Sequence, residues 1–147
     1  MAKAKAPQRR SLAEKINHLF SIVRPAKGEY THEQVAAALR KAGGPTISGT
    51  YVWQLRKGIR DNPTKHHLEA LAVFFGVAPS YFFDEDAAAR IDAEIDLVTA
   101  VRDPAVRALA LAATGLSPAT ITAVRAIIEQ ARRIENLPPA ADDPATT

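Results

Sequence analysis

The chain is predicted to be all-α, with five short helices followed by a helical C-terminal segment. Three observations predict this class. Apolar residues recur at i, i+3 and i+4 over successive stretches, glycines and prolines fall almost entirely between those stretches, and no useful alternating run occurs. With 147 residues and 47% of them apolar, the chain fits one domain, or a small domain plus an accessory element.

Residues 1–10, rich in Lys, Ala and Arg, are expected to form a disordered basic arm. A first helix over 11–23 is opened by a capping box of Ser11 and Glu14, with Leu12, Ile16, Leu19, Phe20 and Val23 inward. Residues 24–30 read as a loop. Thr31 and Gln34 repeat the capping-box spacing and open a second helix to about Lys41 that buries Val35, Ala36 and Leu39.

Residues 46–64, T-I-S-G-T-Y-V-W-Q-L-R-K-G-I-R-D-N-P-T, then have the layout of a recognition helix. Ser48 caps its start, Val52 and Leu55 face inward, and Gly58 stands where a helix end takes positive φ. Gly49, Thr50, Tyr51, Gln54, Arg56 and Lys57 are placed on the outer face, with Arg60 and Asn62 just beyond. Small, amide-bearing and basic residues on one exposed face suit the base edges and phosphates of a duplex. Trp53 is expected to be partly buried against the preceding loop. A fourth helix follows N-P-T at 62–64, with Leu68, Leu71, Ala72 and Phe75 inward and Gly76 as its stop. P-S-Y-F-F at 79–83 is a short fifth.

The tail repeats a different device. Residues 86–101 present Ile91, Ile95, Leu97, Val98 and Val101 as a partly apolar face. Asp103-Pro104 and Ser117-Pro118 each place an N-cap before a proline at the first helical position. The last helix, to about Glu135, carries Ile121, Val124, Ile127, Ile128, Ala131 and Ile134 on one stripe. A single helical hairpin cannot bury that surface. The expected solution is a homodimer through Ile91, Ile95, Val98, Ile121, Val124, Ile128, Ala131 and Ile134. Packing of the stripe on the N-terminal part is the alternative. The stretch after Leu137 is expected to be disordered.

The net charge of +3 conceals an asymmetry: residues 1–62 hold twelve Lys/Arg against four Asp/Glu, and residues 63–147 hold seven against twelve. A basic front half points to a nucleic-acid-facing module joined to something that is not one. The absence of cysteine excludes disulfides and thiolate metal sites. No apolar run is long enough to span a bilayer and the basic start leads into an amphipathic helix, so a cytoplasmic location is expected. His18, His32, His66 and His67 lack the H-E-x-x-H spacing, and no nucleophile-elbow, phosphate-loop or dinucleotide motif occurs. Asp84-Glu85-Asp86 reads as charge complementing a helix start, not as a metal cluster. No enzyme activity, cofactor or metal is expected.

Two helices, a turn, S-x-x-Y-V-x-Q-L-R-x-G-x-R-x-N-P and then L-x-x-L-A-x-x-F-G-V resemble the lambda-repressor-like (XRE, Cro/C1-type) helix-turn-helix family. The long loop before the second helix, A-P-S-Y-F-F-D at 78–84 and the helical tail are similar to mycobacterial nucleoid-associated regulators, over roughly residues 12–135. The resemblance implies a five-helix DNA-binding domain at 11–84 and a helical dimerisation domain at 85–136, flanked by the arm at 1–10 and a tail at 137–147. In this fold the second helix lies across the backbone and the third enters the major groove.

His32 then matches a position that touches phosphate, and Gly49, Thr50, Tyr51 and Gln54 match positions that approach base edges. Gln54 suits an adenine and Thr50 a thymine methyl. Ser48, Arg56, Lys57, Arg60 and Asn62 complete the implied DNA-binding set. Gly49 brings no side chain to a place that usually has one, which implies backbone grip more than base reading. The implied partners are double-stranded DNA and a second copy of the chain, with higher oligomers and bridging or looping on DNA. No membrane partner or small-molecule effector is expected. The resulting function is a transcriptional regulator or nucleoid-associated protein; the alternative is an antitoxin-like module whose tail binds a heterologous protein.

Overall fold

Side-chain caps set most of the helix starts. Ser11 and Thr31 each form a complete capping box, with Glu14 and Gln34 reaching back to the cap N–H. Ser48, Thr64, Asp103 and Ser117 each accept from a backbone N–H of the first turn. Asp84 does the same for the helix after it, accepting from the N–H groups of Asp86 and Ala87. Each such cap satisfies donors that the helix itself leaves unpaired.

The computed structural model describes residues 9–140, so the predicted arm over 1–8 and tail over 141–147 lie outside the described residues. Among the described residues there are eight helices and no strand: α1 Leu12–Ile22, α2 His32–Lys41, α3 Gly49–Arg56, α4 Lys65–Phe75, α5 Ser80–Phe83, α6 Glu85–Ala100, α7 Pro104–Ala112 and α8 Pro118–Ile134. The chain divides into two units between Ala88 and Ala89, inside α6.

In the first unit α3 packs on α1 and α2, and α2 packs on α4. Ile16, Leu19 and Phe20 of α1, Val35, Ala36 and Leu39 of α2, Val52 and Leu55 of α3, and Leu68, Leu71, Ala72 and Phe75 of α4 are buried. Phe20 meets Phe75 edge to face with centroids 5.1 Å apart. Tyr81 of α5 is fully buried. Gly58 and Gly76 end α3 and α4 with φ of +71° and +73°, the left-handed conformation a side chain disfavours.

Two inward positions expected on α1 differ. Leu12 and Val23 are only half-buried, because Leu12 lies in the first turn and Val23 has left the helix in an extended conformation. The additional buried position is Lys15, 3% exposed, whose ammonium lies 2.9 Å from Glu85 Oε1. A buried ammonium requires such a partner, and the pair ties the start of α6 to α1.

In the second unit no residue of α7 or α8 is buried. Leu111, Ile127 and Ile134 are among the most exposed large apolar side chains of the described residues. We expect Leu71→Ala to cost about 2–5 kcal/mol, whereas Val73→Ala, at a residue 73% exposed, stays within about 0.5 kcal/mol. Urea unfolding followed by the fluorescence of the single tryptophan checks both.

Candidate nucleic-acid interface

The N-termini of α2 and α3 lie side by side, and Gly49 makes this possible. A Cβ at Gly49 would stand 2.8 Å from Glu33 Oε2 and 3.0 Å from Glu33 N. The sequence pattern places Gly49 on the outer face, but it is buried against the first turn of α2. It is a close-approach glycine. The two helix starts border an open groove of about 450 Å³ lined by Thr31, His32, Glu33, Gly49, Thr50 and Trp53. Trp53 is 40% exposed along this groove, more open than the sequence reading expects.

Along the rest of α3 the residues separate into two groups. Thr50 and Lys57 are exposed, Gln54 is half-buried, and Ser48 is exposed while its Oγ caps the helix through Tyr51 N at 3.1 Å. Arg60 and Asn62 are exposed beyond the helix end, where the N–H groups of Ile59 and Arg60 both bond to Gln54 O. Thr50, Gln54 and Lys57, spaced i, i+4 and i+7, lie on one side of the helix.

Tyr51 and Arg56 belong to the other group. The Tyr51 ring meets His67 of α4 edge to face at 5.3 Å, with its hydroxyl 3.4 Å from Nδ1. Arg56, expected as a free outer cation, is turned inward. Its Nε donates to Asn17 Oδ1 at 2.8 Å, Nη2 lies 2.7 Å from Glu29 Oε1, and Nη1 lies 3.2 Å from His32 Nε2. The guanidinium also sits over the Phe20 ring, 4.1 Å from its centroid. Asn17 Nδ2 in turn donates to Arg56 O at 2.9 Å. The end of α3 packs against α1, so a residue flanking buried Leu55 meets these partners instead of solvent. Asn17, Phe20, Glu29 and Glu33 were not legible as site residues, since none is near Arg56 or Gly49 in sequence.

His32 stands at the first position of α2, half-buried, with Phe20 edge-on at 6.1 Å. An arginine has only donors, so the contact with Arg56 makes His32 Nε2 the acceptor and leaves the ring proton on Nδ1. Burial lowers the His32 pKa below the ordinary histidine value, and the charges of Arg56 and Lys57 lower it further against an opposing effect of Glu29.

Of the expected dimerisation residues, Ile91, Ile95 and Val124 are half-buried, and Val98, Ile121, Ile128, Ala131 and Ile134 are exposed. Among the described residues no cluster of three or more His, Asp or Glu could hold a metal ion, and no helix is long and apolar enough to cross a membrane.

Because the folded state favours neutral His32, the unfolded chain binds this proton more readily. The stabilisation is present above the unfolded histidine pKa of about 6.5 and is lost as pH falls through the lower folded value. His32→Gln should therefore flatten this part of the stability profile, as read by thermal melts at a series of pH values below neutrality.

No family model matches the chain. Among curated proteins it is similar to the nucleoid-associated protein EspR of Mycobacterium tuberculosis, from strains CDC 1551 / Oshkosh and ATCC 25618 / H37Rv. Each is 38% identical over 128 residues, covering 86% of this chain and 96% of EspR. At that identity and coverage, the chain belongs to the family of the nucleoid-associated protein EspR.

Proposed function

We propose that this protein is a double-stranded-DNA-binding transcriptional regulator or nucleoid-associated protein that acts as a homodimer. The observation that carries the reading is the outer side of α3, where Thr50 and Trp53 border the groove at the start of α2, Gln54 and Lys57 follow along the helix, and Arg60 and Asn62 are exposed just beyond its end. It lies in the basic half of the chain, and the relative is named for nucleoid association. In this reading residues 11–84 form a lambda-repressor-like helix-turn-helix domain and α3 enters the major groove.

Thr50 and Gln54 read base edges, while Lys57 and Arg60 hold phosphates. Gly49 and Tyr51 contribute by placing the helix, since both are held against neighbouring helices. Residues 85–136 form the dimerisation domain. Its support is the apolar stripe of α8, left uncovered in the single chain. Two readers held by one interface would bind paired sites or bridge two duplex segments.

Fluorescence anisotropy with a labelled duplex across a salt series tests the DNA reading. Lys57→Gln with Arg60→Gln should weaken binding to every duplex and reduce the salt slope by about 2, roughly one for each phosphate no longer neutralised. Gln54→Ala should instead change the preference at one base pair by about 1–3 kcal/mol. Unchanged low-salt affinity of the double variant would sink the reading. A chain that ignores duplex DNA and copurifies with a stoichiometric heterologous protein would be an interaction module.

For the dimer, sedimentation velocity of the full chain should give two copies, and Ile121→Glu with Ile128→Glu should give one. A monomeric wild type refutes the homodimer.

A further inference from the structure

Arg56 and His32 both lie in the segments proposed to face DNA, yet they are bonded to each other. Each of the three guanidinium nitrogens of Arg56 has a partner, Nε in Asn17, Nη2 in Glu29 and Nη1 in His32, and its face covers Phe20. A guanidinium so engaged has little left to offer a phosphate. His32 is the opposite case: with Nε2 accepting from Arg56, the Nδ1–H remains as a donor on a ring that lines the groove between α2 and α3.

We infer that Arg56 is a positioning residue for duplex binding and not a phosphate contact: it holds His32 as a neutral Nδ1–H donor, and that donor takes a backbone phosphate at the start of α2. The inference rests on the duplex-binding reading above and assigns the division of roles within it. The groups facing His32 are consistent with a neutral ring. Arg56 and Lys57 come from α3 and its end, Glu29 from the segment before α2, and Phe20 from α1. The two cations oppose a third positive charge there, while Glu29 acts in the opposite direction.

A neutral donor has a signature that a cation does not. It strengthens binding without neutralising a phosphate, so no counterion is released through it. Removing the donor should lower affinity equally at all salt concentrations. Removing a Lys or Arg that pairs directly with a phosphate should reduce the slope by about 0.9.

The test uses the full chain and a fluorescein-labelled duplex of mixed sequence, titrated at several sodium chloride concentrations. His32→Leu should weaken binding about tenfold at each concentration, the effect typical of one hydrogen bond to a charged group, with an unchanged slope. His32→Gln should recover most of that affinity, because its carbonyl can accept from Arg56 while its amide donates. Arg56→Met should lower affinity at constant slope, and should add nothing when combined with His32→Leu.

Three results would overturn the inference: a slope reduced by about 0.9 in Arg56→Met, unchanged affinity in His32→Leu, or additive effects in the double variant. If circular dichroism shows Arg56→Met unfolded, His32→Leu and His32→Gln decide by themselves. A salt-independent weakening rescued by glutamine supports the inference, and an unrescued or slope-changing one rejects it. A wild type that binds no duplex at any salt refutes the DNA reading itself, an outcome distinct from all of these.

Discussion

The guanidinium of Arg56 joins α3 to three neighbouring segments of the first unit. It links the helix to Asn17 and Phe20 of α1, to Glu29 before α2, and to His32 at the start of α2. A charge withdrawn from water is costly unless it is paired and hydrogen-bonded. Here one face of the ion rests on an aromatic ring and its edges meet a carboxylate, an amide and an imidazole. The orientation of α3 against α1 and α2 therefore depends on a charge-assisted junction as well as on the apolar contacts of Val52 and Leu55.

Gly49 is the second constraint on the same helix. Its lack of a Cβ lets the first turn of α3 approach the backbone of Glu33. With Gly49 held against α2, Tyr51 against α4 and Arg56 against α1, the unclaimed side chains are Thr50, Trp53, Gln54 and Lys57. The free edge of α3 is thus defined by which neighbours claim the remaining positions. A helix of eight residues has only a short edge to offer, so residues beyond Gly58 and at the start of α2 become part of any surface it builds.

The tail has strong local specification and little burial. Asp103-Pro104 and Ser117-Pro118 start α7 and α8 through backbone N–H groups accepted by the cap side chains. The isoleucines of α8 nevertheless remain in contact with water within one chain. Removing that apolar surface from water is the driving force behind the proposed self-association, because burial is favourable in proportion to area.

The helical class, the two capping boxes and the proline-marked starts of α7 and α8 were legible in the sequence, because each depends on residues no more than four apart. The same holds for the buried faces of α2 and α4 and for Gly58 and Gly76, where periodicity and backbone conformation act locally. Membership of the EspR family rests on residues spread along nearly the whole chain. The inward turn of Arg56, the burial of Lys15 and the packing of Gly49 were decided only by tertiary structure. An amphipathic pattern marks the angle at which a residue leaves its helix, not which neighbouring helix occupies that direction. Asn17 of α1 and Glu29 of the segment before α2 reach Arg56 only after α3 has packed on α1 and α2, so no local spacing could have marked Arg56 as a junction instead of an arm.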